Sequence, residues 1–304
     1  MSWSPAALLR PPGFPPVRDA GAWRTTLDRL ESSGSFALAV NGGRRSGTVG
    51  WAFSFGYQAA LRALLPDHAA GRVAALCATE AGGNHPRAIE TRLQDGLLTG
   101  EKSFVSLGPL AELLVVVART GTDDHGRPRL VGCTVDARHA GVQVRQMPPL
   151  PVVPEVPHGS LHLSDAVPIT VLDGDGYTGL LKPFRTVEDI HVHAALASWM
   201  LGVARDAGWP DDFVEALLVG ISGLSHAATL SPSDPGTHRL LGGALTAFHA
   251  LVARAEPLWS SASPEVAEMW ARDRALMRIA SGARKARLGK ARRALGEGAS
   301  PSAP

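Results

Sequence analysis

Asp189 and His193 stand four residues apart in the segment TVEDIHVHAALASWMLG, Thr186–Gly202. On a helix that spacing places both side chains on one face. A carboxylate beside an imidazole fixes its tautomer and raises its basicity, so the pair could act as a general base. A plainer role fits the same residues: an acid favoured by the dipole at a helix start, and a partly buried histidine. His191 lies two positions before His193, which points the two rings apart on a helix. No further ligand cluster accompanies them, and no metal centre is expected. The turn Gly82-Gly83-Asn84 would let a ligand approach the backbone closely. Lys182-Pro183-Phe184-Arg185, following Asp173–Tyr177, presents two cations that suit either a phosphate or a solvated linker.

These residues need a frame, and composition says one exists. The chain has 304 residues, 45% hydrophobic and 19% charged, which suits a sizeable core and argues against disorder, collagen or a coiled-coil rod. The longest apolar runs, such as Ala194–Ala204, are too short to span a bilayer. Met1–Arg18 is proline-rich and does not read as a signal peptide. A cytoplasmic protein follows as the expectation, with Cys77 and Cys133 reduced and buried. Nine Lys/Arg and two Asp/Glu crowd into residues 271–304, leaving a net charge of −5 on the remainder. That basic segment reads first as a solvated or subunit-facing helix, next as a phosphate-binding face, and last as a nucleic-acid surface. Few interleaved aromatics accompany it, so no nucleic-acid partner is expected, and no membrane either.

Along the chain the order is helix, then β, then helical bundle. Trp23–Leu30 and Trp51–Leu65 have helical spacing, with Gly42–Gly50 a loop between them and Pro66 ending the second. Val73–Thr79, Gly96–Ser106, Leu113–Thr120, Leu130–Asp136, Gly141–Met147, Leu161–Leu163 and Ile169–Leu172 read as strands. Their close spacing predicts an antiparallel barrel or sandwich. Four helices are predicted after that: Thr186–Ala207, Asp211–Ser225, Pro235–Trp259 and Pro264–Leu295. Thr186 and Asp211 suit N-caps, and Gly208 suits a C-cap. The predicted organisation is a helical region over 1–72, a β-domain over 73–183, a bundle over 184–296 and a disordered tail over 297–304.

One stretch carries a resemblance. Ala75–Gly121 contains Thr79-Glu80, the glycine turn, Glu90-Thr91, Gly100-Glu101-Lys102, Phe104-Val105-Ser106, then Ala111 and Val116-Val117-Ala118-Arg119-Thr120. This succession resembles the middle β-domain of the acyl-CoA dehydrogenase family. Gly56–Pro66 and Gly71 resemble the family's lead into that domain, and Arg272–Gly296 aligns without gaps to its last long helix. The resemblance implies an α+β chain: a short helical N-terminal part, a central β-domain and a C-terminal bundle. The chain would be a short, divergent member.

The resemblance also implies a chemistry: oxidation of an acyl thioester, such as an acyl-CoA, to its 2,3-enoyl form with hydride transfer to FAD, in fatty-acid or acyl-thioester metabolism. Thr79, Phe104 and Ser106 match positions that contact the flavin ring. Phe104 stands where a Trp is usual, which keeps the stacking and loses the N–H donor. Gly82 and Asn84 match positions near the flavin or substrate, and Lys285 matches a glutamine that contacts the flavin. The family's catalytic glutamate falls at Ser281, which is no base at neutral pH, and a flavin-contacting threonine falls at Ala283. Some members carry the base on the first helix of the bundle, within one position of His193. Asp189 and His193 are then a replacement base. The alternative is a catalytically impaired member that serves as a partner subunit or an acyl- or nucleotide-binding module. A homo-oligomer, or a hetero-oligomer with a full-length relative, is implied in either case. A flavoenzyme whose chemistry needs no α-proton base is a further reading.

Overall fold

The computed structural model describes residues 2–297, apart from Pro12, Phe14 and Asn84. Most of the tail expected to be disordered lies outside the described residues. Contacts divide the chain into a helical unit, up to Ala60 and from Thr186 onward, and a β unit over Leu61–Arg185.

The helical unit begins with α1 (Pro5–Leu8), α2 (Ala20–Arg29), α3 (Ser35–Arg45) and α4 (Val49–Leu64), whose last turn passes into the β unit. The short α1 lies within the proline-rich N-terminal stretch. Ser4 caps it, and Pro5 supplies the fixed φ suited to a first turn. A larger difference concerns Gly42–Gly50, which is not a loop: α3 runs on to Arg45, and α4 starts again at Val49. The glycines there serve close approach. A Cβ on Gly43 would stand 2.1 Å from the carbonyl oxygen of Ala195, and one on Gly42 would stand 2.3 Å from the Phe55 ring. Trp23, Leu38, Trp51 and Phe55 fill the core around these crossings.

The β unit opens with α5 (Pro66–Ala69). Its strands are β1 (Ala74–Cys77), β2 (Arg92–Gln94), β3 (Leu97–Ser106), β4 (Leu113–Thr122), β5 (Pro128–Asp136), β6 (Val142–Gln146), β7 (His158–Ala166) and β8 (Thr170–Val171). The strand order is β6-β7-β3-β2-β4-β5-β8, with β1 beside β4. The expected mix of central sheet and C-terminal helices is present, but the sheet is open and not closed into a barrel. Nor is it wholly antiparallel. β1 and β2 both meet β4 in parallel, because the β2–β3 hairpin carries the chain back before β4 begins. Asp95 and Gly96, at φ 51° and 79°, make the two-residue turn of that hairpin. Cys77 and Cys133 are free and buried. Each pairs with Val116, one from either side. Two strand spacings, roughly 9–10 Å, separate them, beyond disulfide reach.

A π-helical turn (Gly176–Leu181) leads into α6 (Lys182–Asp206), followed by α7 (Asp211–Ala227), α8 (Pro235–Arg254), α9 (Pro264–Asp273) and α10 (Ser281–Ala294). Thr186 is inside α6 and caps nothing. Gly208, at φ 66°, ends the helix as expected. The single helix expected over Pro264–Leu295 is two. A 3₁₀ segment, Arg274–Arg278, intervenes, and the Arg284 guanidinium donates to the Met277 carbonyl at 2.8 Å where the α-helical ladder lapses. Among the described residues, no helix is long and apolar enough to cross a membrane.

Candidate functional site

In the β unit, a buried ion pair organises the residues around Thr79 and Phe104. Lys102 Nζ lies 2.5 Å from Glu80 Oε1 and 2.6 Å from the Val117 carbonyl oxygen. The other Glu80 oxygen accepts the Glu90 amide at 2.7 Å, and Oε1 also takes the Thr91 amide at 3.1 Å. Burial alone would push the Glu80 carboxyl up, but the Lys102 ammonium brings it below its ordinary value. Burial likewise lowers Lys102, with Glu80 opposing.

Two neighbouring contacts shape the surface above this pair. The Ser103 amide donates to the Thr79 carbonyl at 2.8 Å. The β3–β7 register slips between Lys102 and Val105. Inside that bulge, Phe104 sits at φ 52° with 55% of its surface exposed. A bulky residue in the left-handed region is strained, and such strain clusters where a side chain must be presented. Thr79 is half-buried beside this bulged strand. Ser106 is also half-buried. Its hydroxyl donates to His158 Nε2 at 3.2 Å, because His158 Nδ1 is committed to the Val156 carbonyl. Glu80 and Gly83 exchange backbone hydrogen bonds across a tight turn, with Gly82 exposed at its tip. Asn84 lies outside the described residues.

The helical unit holds the other candidates. Asp189 and His193 share one face of α6, but the carboxylate does not meet the ring nitrogen. His193 Nδ1 donates to the backbone carbonyl of Asp189 at 2.7 Å. The carboxylate instead accepts Arg284 Nε at 2.8 Å and Arg287 Nη2 at 2.5 Å. The tautomer of His193 is therefore set by the main chain. Burial would raise the Asp189 carboxyl, yet its cationic neighbours hold it below the usual range. His193 is fully buried, which lowers its pKa to about 4. Its Nε2 has no partner among the described residues. His193 lines a 110 Å³ cavity together with Phe53, Asp189, Leu196, Met277 and Arg284. A neutral imidazole with a free Nε2 lone pair is competent to accept a proton there.

Ser281 is exposed at the start of α10 and borders a separate cleft of 480 Å³ with His249, Glu256 and Arg278. Lys285 is exposed on α10, in the unit that does not contain Thr79, Phe104 and Ser106. Among the described residues there is no cluster fit to hold a metal ion. Sequence reasoning missed Arg284 and Arg287 as partners of Asp189, and His249 beside His193. The arginines lie 95 and 98 residues from Asp189, and no local pattern links them.

The neutral histidines set an acid limit. His191 and His193 both have folded pKa values near 4, against 6.5 when unfolded. The unfolded chain therefore binds more protons below 6.5, and stability falls as pH drops from there towards 4. Each contributes a loss of about 3 kcal/mol by the lower limit. Urea midpoints will decline steadily from neutral pH into this range, and His191→Gln will flatten the decline. A pH-independent midpoint would refute the assignment.

Residues 75–166 match the family model described as acyl-CoA dehydrogenase, middle domain. That segment is similar to the middle domain of acyl-CoA dehydrogenases. The chain as a whole has the acyl-CoA dehydrogenase fold, a central sheet with helices on the C-terminal side. Butyryl-CoA dehydrogenase from Megasphaera elsdenii is 15% identical, with 92% of this chain and 90% of that one covered at a TM-score of 0.62. The structure of PigA with FAD and proline is 14% identical over 91% and 89% of the two chains, TM-score 0.66. FkbI, from biosynthesis of a methoxymalonyl extender unit, is 18% identical over 90% and 93%, TM-score 0.60. No curated protein matches the sequence. The expected acyl-CoA dehydrogenase likeness thus stands, and these neighbours include flavoproteins.

Proposed function

We propose that this chain is an FAD-dependent dehydrogenase of a small acyl thioester, with His193 as the proton acceptor. The observation that carries the reading is His193 itself: its ring is buried and neutral, its Nε2 has no partner among the described residues, and the residue lines a small cavity. The β unit fits a flavin, because an exposed aromatic is held out from the sheet at a strained φ. Phe104 would stack on the ring, Thr79 and Ser106 would bond its edge, and Gly82 and Asn84 would contact the remainder. FAD, when bound, supplies the two-electron acceptor for such an oxidation.

The residues of this chain manage the proton. His193 Nε2 receives it from the carbon next to the thioester carbonyl. The Asp189 carbonyl holds Nδ1–H, so the lone pair stays on Nε2. The Asp189 carboxylate, oriented by Arg284 and Arg287, steadies the imidazolium. Acyl-CoA as substrate, a homo- or hetero-oligomeric assembly, a cytoplasmic location and a place in acyl-thioester metabolism belong to the same reading. Ser281 supports the competing one, a catalytically impaired partner subunit, since an exposed serine cannot take an α-proton unaided.

The visible absorption spectrum separates the two. Protein purified alone, then incubated with FAD, will show a flavin spectrum that survives gel filtration. Phe104→Ala will weaken retention roughly tenfold, the worth of one stacking contact. A colourless protein that takes up no FAD would sink the stand-alone enzyme and leave the partner-subunit reading.

A further inference from the structure

We infer that His249 carries protons between His193 and the cleft bounded by α8, the 3₁₀ segment and α10. The inference rests on His193 being the proton acceptor, and it concerns where that proton goes.

His193 has one uncommitted ring nitrogen. Its Nδ1 is occupied by the Asp189 carbonyl, and its Nε2 is sealed from solvent. The cavity it lines is 110 Å³, room for a few water molecules or a small reacting group. The ring is packed edge-on by two neighbours, Phe248 at 5.8 Å and His249 at 5.9 Å between centroids. Only the second can take or give a proton. The Nε2 of His249 is also buried and without a partner among the described residues. Two adjacent orphaned imidazole nitrogens are costly unless something uses them. His249 is half-buried, and it borders the 480 Å³ cleft with Glu256, Arg274, Arg278 and Ser281. Met277 lines both spaces.

Charge favours passage over storage. Facing His193 are the Asp189 carboxylate on its own helix, Arg284 on α10 and His249 on α8. Arg284 opposes a resident positive charge on either ring, while Asp189 favours it. Burial makes His193 a poor place for a proton to stay. In the step itself, the N–H bond formed at His193 Nε2 breaks as one forms at His249 Nε2, with one water admitted between the rings to carry the proton. His249 then releases a proton to water in the cleft, and both rings return to neutral. His249 touches no substrate in this scheme.

Proton exchange in the cofactor-free full chain tests the relay without turnover. The His193 Nδ1–H, hydrogen-bonded to Asp189, exchanges with water only after Nε2 is protonated, and ring-¹⁵N-histidine NMR at neutral pH follows it. In His249→Phe, which keeps the aromatic packing, exchange will slow at least tenfold, the effect of losing a general acid–base group. His249→Asn, which keeps polar hydrogen-bonding atoms but cannot shuttle protons, will slow it too. Unchanged exchange in either folded variant would overturn the relay. His193→Gln turnover tests the proton-acceptor reading separately. If that variant retains full activity while His249→Phe still slows exchange, the path exists and the acceptor assignment fails. If exchange is unaltered while His193→Gln is inactive, the acceptor stands and the path fails.

Discussion

His193→Gln will lower turnover of a small acyl thioester about a thousandfold, within the range set by removal of a positioned general base. FAD retention will stay close to wild type, because the flavin-platform residues of the β unit do not change. The Gln amide is uncharged, as the buried imidazole is, so little stability is lost. Ser281→Ala provides the contrast. Its hydroxyl is exposed and borders the larger cleft, and its removal will leave the rate within roughly twofold, as expected for an uncoupled surface change. If Ser281→Ala abolishes turnover and His193→Gln does not, the proton acceptor is misassigned. Stopped-flow reduction of the bound flavin by substrate would read the step directly.

Lys102→Met will cost about 3–5 kcal/mol by leaving the Glu80 carboxylate buried without its cation. The Lys102 side chain is fully buried and that of Glu80 nearly so, so solvent offers no substitute. Pairing the change with Glu80→Gln removes the orphaned charge and will restore much of the loss. All seven tryptophans, from Trp3 to Trp270, lie in the helical unit. Tryptophan fluorescence therefore follows that unit, and far-UV circular dichroism also sees the sheet. In Lys102→Met the two transitions will separate, with the sheet signal lost at lower urea. Coincident transitions at the wild-type midpoint would show that the pair contributes little.

Much of the architecture is legible in local sequence. Seven of the eight strands overlap a stretch read as a strand, although only Leu161–Leu163 of β7 (His158–Ala166) is foreseen, and α2, α4, α7 and most of α6 follow their apolar spacing. β2 escapes because Arg92-Leu93-Gln94 has one apolar residue, and its place comes from the Asp95-Gly96 turn and its partners β3 and β4. The Gly42–Gly50 segment misleads for a different reason. Glycine there meets a steric demand from Ala195, some 150 residues away, which looks identical to loop glycine when only neighbours in sequence are visible. The break between α9 and α10 is equally hidden. Arg284 replaces a helical hydrogen bond at Met277 only once the chain has turned.

The sequence by itself determines the middle domain, since its motif is contiguous and each part of it does a local job: the turn at Glu80–Gly83, the hairpin at Asp95-Gly96, and the Glu80 and Lys102 that pair beneath it. It also determines that Asp189 and His193 share a helical face, because helical spacing alone requires it. What that face can do was decided only by tertiary structure. The Asp189 carboxylate was free to orient the imidazole on spacing grounds. In the fold, two arginines nearly a hundred residues away take that carboxylate, and the backbone carbonyl takes the ring instead. Burial leaves the imidazole neutral with one nitrogen open, and His249 comes to lie against it. Charge partners and desolvation depend on distances through space, and spacing along the chain does not encode them.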